Sequence, residues 1–315
     1  MRKLVIRAAL ACITACVSAV AAAQAYPSKT VRMVHSFGVG SGSDQIARIL
    51  AAELQTSLKQ PFVVDPKPGA AGVISVQELE RQPADGYTLM MAPSTVLAAN
   101  PSLFKKLAYD PGKDFMPIGL ICTVPTVMLV DAKLPVNSVA ELIAYGRSKP
   151  LNYGYGSSTA QIAGAAFVKL NKLADATGVG YKSTPDGLTN LAGGQLSFMF
   201  ADLPASQGLI QSGRIRPIAI AAEKRSVLLP DLPTMGGFEV TGWASLVGRA
   251  TMPPDIAAQL NAEMNRILTR KDVADKLLSI GCEVSTTTQH EFASYIQRQI
   301  AVYAQKVRES GVEPQ

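Results

Sequence analysis

Histidine is nearly absent from this 315-residue chain, which has two, His35 and His290. No cysteine–histidine spacing suited to a metal site occurs. Nucleophilic hydrolysis is poorly served too. No Gly-x-Ser-x-Gly elbow is present, and His290 opens a C-terminal amphipathic stretch, which is a packing position. Charge is sparse at 17% of residues, and lysines and arginines are scattered. Adjacent pairs such as Lys105-Lys106 and Lys224-Arg225 read as solvated surface, so the clustered basic face of a nucleic-acid binder is missing. Past the first 25 residues no apolar run approaches the roughly 18 needed to cross a bilayer.

What is present begins with an export signal. Arg2, Lys3 and Arg7 form a basic start, Ala8 to Val20 an apolar stretch, and Ala23-Gln24-Ala25 a small-x-small cleavage site, the pattern of a secretory signal peptide. The expectation is an exported protein cut after Ala25. Ile13-Thr14-Ala15-Cys16 resembles a lipobox and offers the minor alternative of a lipoprotein anchored through Cys16. Cleavage removes Cys12 and Cys16 and lowers the net charge from +6 to about +3. Cys122 and Cys282 remain, either paired in an oxidising compartment or as two buried thiols.

The organising stretch is residues 32–50. A short apolar run ending at His35 meets the loop Ser36-Phe37-Gly38-Val39-Gly40-Ser41-Gly42-Ser43-Asp44, and an apolar face follows through Ile46, Ile49, Leu50 and Leu54. The periodicities predict strand, loop and helix. Ser41 and Asp44 have capping-box spacing. The loop is no dinucleotide fingerprint, because a serine takes the third glycine's place, and the P-loop lysine is missing.

Strand–helix alternation continues, which predicts α/β architecture with mainly parallel sheets. Strands are expected at 61–65, 87–91, 126–130, 151–155, 179–181, 196–200 and 216–222, with helices through Val76 and Leu79, at 138–148, and after residue 157. Ser158 with Gln161 repeats the capping spacing, and Ile162, Ala166, Phe167 and Leu170 are expected to form that helix's buried face. Thr184-Pro185 reads as a cap with a first-turn proline. After Met252-Pro253-Pro254 helices dominate, at 255–268, 271–280 and 290–309, as packing elements.

Small polar loops recur at strand ends: Gly38 to Ser43, Ser94-Thr95, Ser157-Ser158-Thr159, Ser183-Thr184, and Asp202 just past a strand. In open α/β sheets such ends converge on a crevice. Hydroxyls and backbone N–H groups at helix starts there suit a carboxylate without a buried arginine.

In order along the chain, Tyr26-Pro27-Ser28-Lys29, Asp85-Gly86-Tyr87-Thr88-Leu89, Asn100-Pro101-Ser102-Leu103, Tyr109-Asp110-Pro111, Leu151-Asn152-Tyr153, Gly193-Gly194-Gln195 and Leu229-Pro230-Asp231-Leu232-Pro233-Thr234 resemble the Bug receptors. These are the periplasmic solute-binding proteins of tripartite tricarboxylate transporters. The resemblance implies a two-lobed Venus-flytrap fold. Each lobe would be a mainly parallel sheet flanked by helices, with crossing strands near Val124–Val127 and Trp243–Leu246. The expected lobes are 26–125 plus 245–315, and 126–244. It also implies a monomer without cofactor or catalysis that passes a small organic acid to integral-membrane permease subunits.

Pocket positions carried over are Phe37, Gly38, Gly40, Ser41, Gly42, Ser43, Ser94, Thr95, Ser157, Ser158, Thr159 and Asp202. Where the family tends to read Pro-Phe-Ala-Pro-Gly-Gly, this chain has Ser36 and Val39 for the prolines and Ser41 for a glycine. His35 takes a usually aliphatic place, and Gln161 stands near the family's histidine. His35 and Ser36 are therefore candidate specificity positions. Two other readings remain: a ligand-sensing partner of a signalling system, and a secreted hydrolase using His35.

Overall fold

A computed structural model describes residues 26–315, so the expected signal peptide, its cleavage after Ala25 and the lipobox alternative at Cys16 lie outside the described residues. The first unit of chain runs β1 (Val31–His35), α1 (Gly42–Leu58), β2 (Phe62–Pro66), α2 (Val73–Glu80) and β3 (Thr88–Pro93), then a π-helical turn at Thr95–Ala99, α3 (Asn100–Leu103) and β4 (Phe115–Val124). The middle of the chain is β5 (Thr126–Asp131), α4 (Val139–Gly146), β6 (Leu151–Tyr155), α5 (Ser158–Leu170), β7 (Ala176–Gly180), α6 (Thr184–Ala192), β8 (Phe198–Asp202), α7 (Leu203–Gln211) and β9 (Ile215–Ile220). β10 (Gly242–Arg249), α8 (Pro254–Leu268), α9 (Lys271–Ser279), β11 (Glu283–Val284) and α10 (Gln289–Ser310) complete it.

Two sheets result. One has the order β11-β4-β10-β3-β1-β2, the other β7-β6-β8-β5-β9. In the first, β1 pairs in parallel with β2 and β3, while β10 inserts antiparallel between β3 and β4. In the second, β6 is parallel to β7 and β8, while β5 is antiparallel to β8 and β9. Both sheets are thus mixed rather than mainly parallel as expected, because the strands that carry the chain between the sheets run against their neighbours. β4 and β5 are separated by Pro125 alone, so the chain passes from one sheet to the other there. It returns before Gly242, which pairs with Val124.

β3 and β5 are buried at every position, the pattern of strands covered on both faces. On one face of the first sheet pack Ile46, Leu50 and Leu54 of α1 with Leu260 and Met264 of α8. On the other sit Val76 and Leu79 of α2 with Phe292 and Ile296 of α10. The second sheet is covered by Leu142 and Phe167 on one side and Leu188 and Leu191 on the other.

Cys122 of β4 and Cys282, just before β11, are bonded to each other at a Cα separation of 5.7 Å. The pairing alternative therefore holds, and the bridge ties the segment after α9 to the first sheet.

Four local expectations are corrected. Leu170 is 70% exposed rather than buried, because it sits at the last turn of α5, past the sheet. The cap of α5 is Ser157, which accepts from Ala160 N–H; Ser158 is one residue inside the helix. Ser183, not Thr184, is the N-cap of α6. Ser94-Thr95 form no loop, since Ser94 already has helical dihedrals and the turn begins at Thr95.

Candidate functional site

The β1–α1 connection is shaped by its own side chains. Ser41 caps α1 by accepting from Asp44 N–H at 3.2 Å. The Asp44 carboxylate reaches back to Gly40 N–H at 3.0 Å, one residue earlier than a capping box requires. Gly40 has φ 82°, a left-handed turn that glycine adopts without cost. Beneath the loop His35 is fully buried, with Nε2 3.2 Å from Asp44 Oδ1, and Arg48 reaches the same carboxylate from outside. Burial pushes the His35 imidazole below its ordinary value, outweighing Asp44, which favours the charged form. For Asp44 burial acts upward, but the Arg48 and Gly40 hydrogen bonds win and hold it below the usual carboxylate range.

The loop faces a cavity between the two sheets. Phe37, Gly42 and Ser43 line it from the β1–α1 side, and Ser94 and Thr95 from the end of β3. From the second sheet come Ser157, Thr159, Thr184 and Asp202. Four helices of nine residues or more, α1, α5, α6 and α7, therefore start at its wall. Each start concentrates free N–H groups and partial positive charge. No lysine, arginine or histidine is among the lining residues.

The two sides touch. Gly38 N–H donates to Ser183 Oγ at 3.0 Å, Gln45 Nε2 to Pro204 O at 2.9 Å, and Ser158 Oγ to Asn100 Oδ1 at 2.7 Å. Ser94 and Thr159 hydroxyls lie 3.3 Å apart, and Tyr303 of α10 places its hydroxyl 3.4 Å from Thr159 while donating to Thr241 O at 3.1 Å. Asp202 caps α7 by accepting from Ala205 N–H at 2.9 Å, and its carboxylate packs against Gly42 of the opposite side. Burial pushes Asp202 up, only partly offset by backbone hydrogen bonds from Ala205 and Gly42.

Of the residues singled out from the sequence, Phe37, Gly42, Ser43, Ser94, Thr95, Ser157, Thr159 and Asp202 line this cavity. Gly38, Gly40, Ser41 and Ser158 instead spend their polar groups on Ser183, Asp44, the α1 cap and Asn100. Ser36 is buried against Ser75, its hydroxyl 2.8 Å from that of Ser75. His35 lies behind the loop, and its near polar neighbour is Asp44, not a serine or cysteine. Missed from the sequence were Trp243 and Thr126, at the starts of β10 and β5, and Tyr303 close by. Nothing in the local pattern around Tyr303 sets it apart from a core aromatic.

With this geometry in hand, residues 46–312 match the family described as tripartite tricarboxylate transporter family receptor. The chain belongs to that family. This receptor is 29% identical to Protein BugT of Bordetella pertussis over 309 residues, 95% of each chain. Among solved structures it is similar to an R. palustris protein with adipate, at TM-score 0.89 and 31% identity over 92% of this chain and 100% of that one. It is also similar to MatC from Rhodopseudomonas palustris with bound malate, at TM-score 0.84 and 29% identity over 90% and 100%. Periplasmic binding protein BugD superposes at TM-score 0.87 and 27% identity over 92% and 100%. The expected Bug family and two-sheet receptor fold are thus observed.

Proposed function

We propose that this receptor captures a small carboxylate-bearing solute in the periplasm and presents it to the membrane subunits of a tripartite transporter. The observation that carries this is the cavity wall, where helix starts and hydroxyls from both sheets converge without a basic side chain. Aligned N–H groups of that kind hold an anion at a protein site. The adipate and malate of the two R. palustris neighbours support the same class of ligand.

Residues Phe37, Gly42, Ser43, Ser94, Thr95, Ser157 and Thr159 would contact the solute, with Gly38, Gly40, Ser41 and Ser158 holding the walls in place. The chain would work as a monomer of two lobes hinged at Pro125 and just before Gly242, after export and cleavage following Ala25. Titration calorimetry of the mature protein against mono-, di- and tricarboxylates, keto acids, amino acids and aromatic acids tests the reading. Saturable heat from at least one acid is expected; no heat and no thermal shift from any of them would sink it.

A further inference from the structure

Asp202 is the one formally charged side chain on the cavity wall. It stands at the end of β8, where the strand delivers it to the start of α7, and its carboxylate faces the start of α1 across the cleft. Asp202 is in no ion pair among the described residues, and no charged group contributes to its titration. Its protein partners are backbone N–H groups, which ease a buried carboxylate but leave its charge uncompensated.

A bound carboxylate adds a second negative charge to the same enclosed space. Helix starts contribute only partial positive charge, about half a unit each, and they already serve Asp202 at α7 and α1. A diacid would bring two more charges to a wall without a cation. A solute that carries its own ammonium group offsets both anions at once. Its carboxylate would rest on Ser94, Ser157 and Thr159, and its ammonium on Asp202.

We infer that Asp202 sets the receptor's specificity, selecting a solute with both a carboxylate and an ammonium group over diacids and plain monoacids of equal length. This rests on the carboxylate-receptor reading and narrows it to an amino-acid-like zwitterion. An ammonium beside Asp202 would also favour the charged form of that carboxylate, against the upward push of burial.

The test is calorimetry on the full mature chain with length-matched sets: 4-aminobutanoate, butanoate and succinate, and 5-aminopentanoate, pentanoate and glutarate. At least tenfold tighter binding of an ammonium acid than of its diacid and plain counterparts is expected. Asp202→Asn should lower that ratio at least tenfold, and asparagine keeps the α7 cap. Should that variant not fold, Asp202→Ser retains the cap, and the wild-type ranking is decisive alone. Tightest binding of a diacid or plain acid, or an unchanged ratio in a folded Asp202 variant, overturns the inference while leaving the carboxylate receptor standing. Absence of binding by every acid overturns both.

Discussion

His35 Nε2 lies 3.2 Å from Asp44 Oδ1 beneath the β1–α1 loop, and both groups are all but sealed from solvent. Because burial depresses His35 below its ordinary 6.5, the unfolded chain takes up a proton near that pH which the folded chain refuses. Stability is then lost as pH falls below about 6.5, until the folded imidazole itself protonates. Asp44, held below its ordinary 3.8, keeps its contribution until the pH drops through that lower range. A melting series from pH 8 to pH 5 should show a fall of a few degrees in the wild type, since about 1 kcal/mol moves Tm by about 2–4 °C at this domain size. His35→Gln should flatten it. An equal slope in both proteins would remove His35 from the account.

Gly42 opens α1 with an ordinary negative φ, so its lack of a side chain matters for space alone. A methyl group there would overlap Asp202 Oδ1 and lie 3.3 Å from Pro204 Cβ, both on the far side of the cleft. Gly42→Ala should leave the unliganded melting temperature unchanged or slightly raised, alanine being the better helix former. Affinity for the solute should fall roughly tenfold or more, as overpacking costs about 1–3 kcal/mol and, in the proposed hinged receptor, only the state with Asp202 against α1 suffers it. Unaltered affinity by calorimetry would mean that closure does not bring Asp202 to α1.

Much of the frame was legible because it rests on short-range rules. Periodicity located α1, and the serine–aspartate spacing located its cap; strand–helix alternation placed strands at 87–91 and 126–130, where β3 and β5 lie. Positions that depend on distant partners were not legible. Ser157 and Ser158 are both fitting caps, and which one serves is decided by Asn100, 58 residues earlier, which takes the Ser158 hydroxyl. The glycine loop promised several free N–H groups, yet Ser183 and Asp44 occupy those of Gly38 and Gly40. Tyr303 reaches Thr159 from 144 residues away, and no local pattern encodes that.

The Cys122–Cys282 bond closes a segment of 160 residues between two positions buried in the first core. Constraint of the unfolded chain by such a bridge contributes about 2–4 kcal/mol. The double variant Cys122→Ala with Cys282→Ala should therefore melt several degrees lower in calorimetric scans, and reductant should lower the wild type but not the variant. Solute affinity at 25 °C should be preserved, since neither cysteine lines the cavity. Equal melting temperatures with and without reductant would show that the bridge does not stabilise the fold.

Asn100 links the two sides through one amide. Its Nδ2 donates to Ala71 O and to the Tyr109 hydroxyl, both at 2.9 Å, within the first unit, while Oδ1 accepts from Ser158 of α5. Asn100→Ala strips the half-buried Ala71 carbonyl and the buried Tyr109 hydroxyl of a partner, so it should lower the stability of the unliganded protein by about 1–3 kcal/mol. Ser158→Ala removes only the bond across the cleft. It should leave that stability nearly unchanged and weaken solute binding by roughly fivefold to tenfold, the share of one buried hydrogen bond at about 1 kcal/mol. A double-mutant cycle on the binding free energy separates the two effects, with a coupling of about 0.5–1.5 kcal/mol expected between residues in direct contact. Additive single effects would show that the Asn100–Ser158 bond is no part of the closed, solute-holding state.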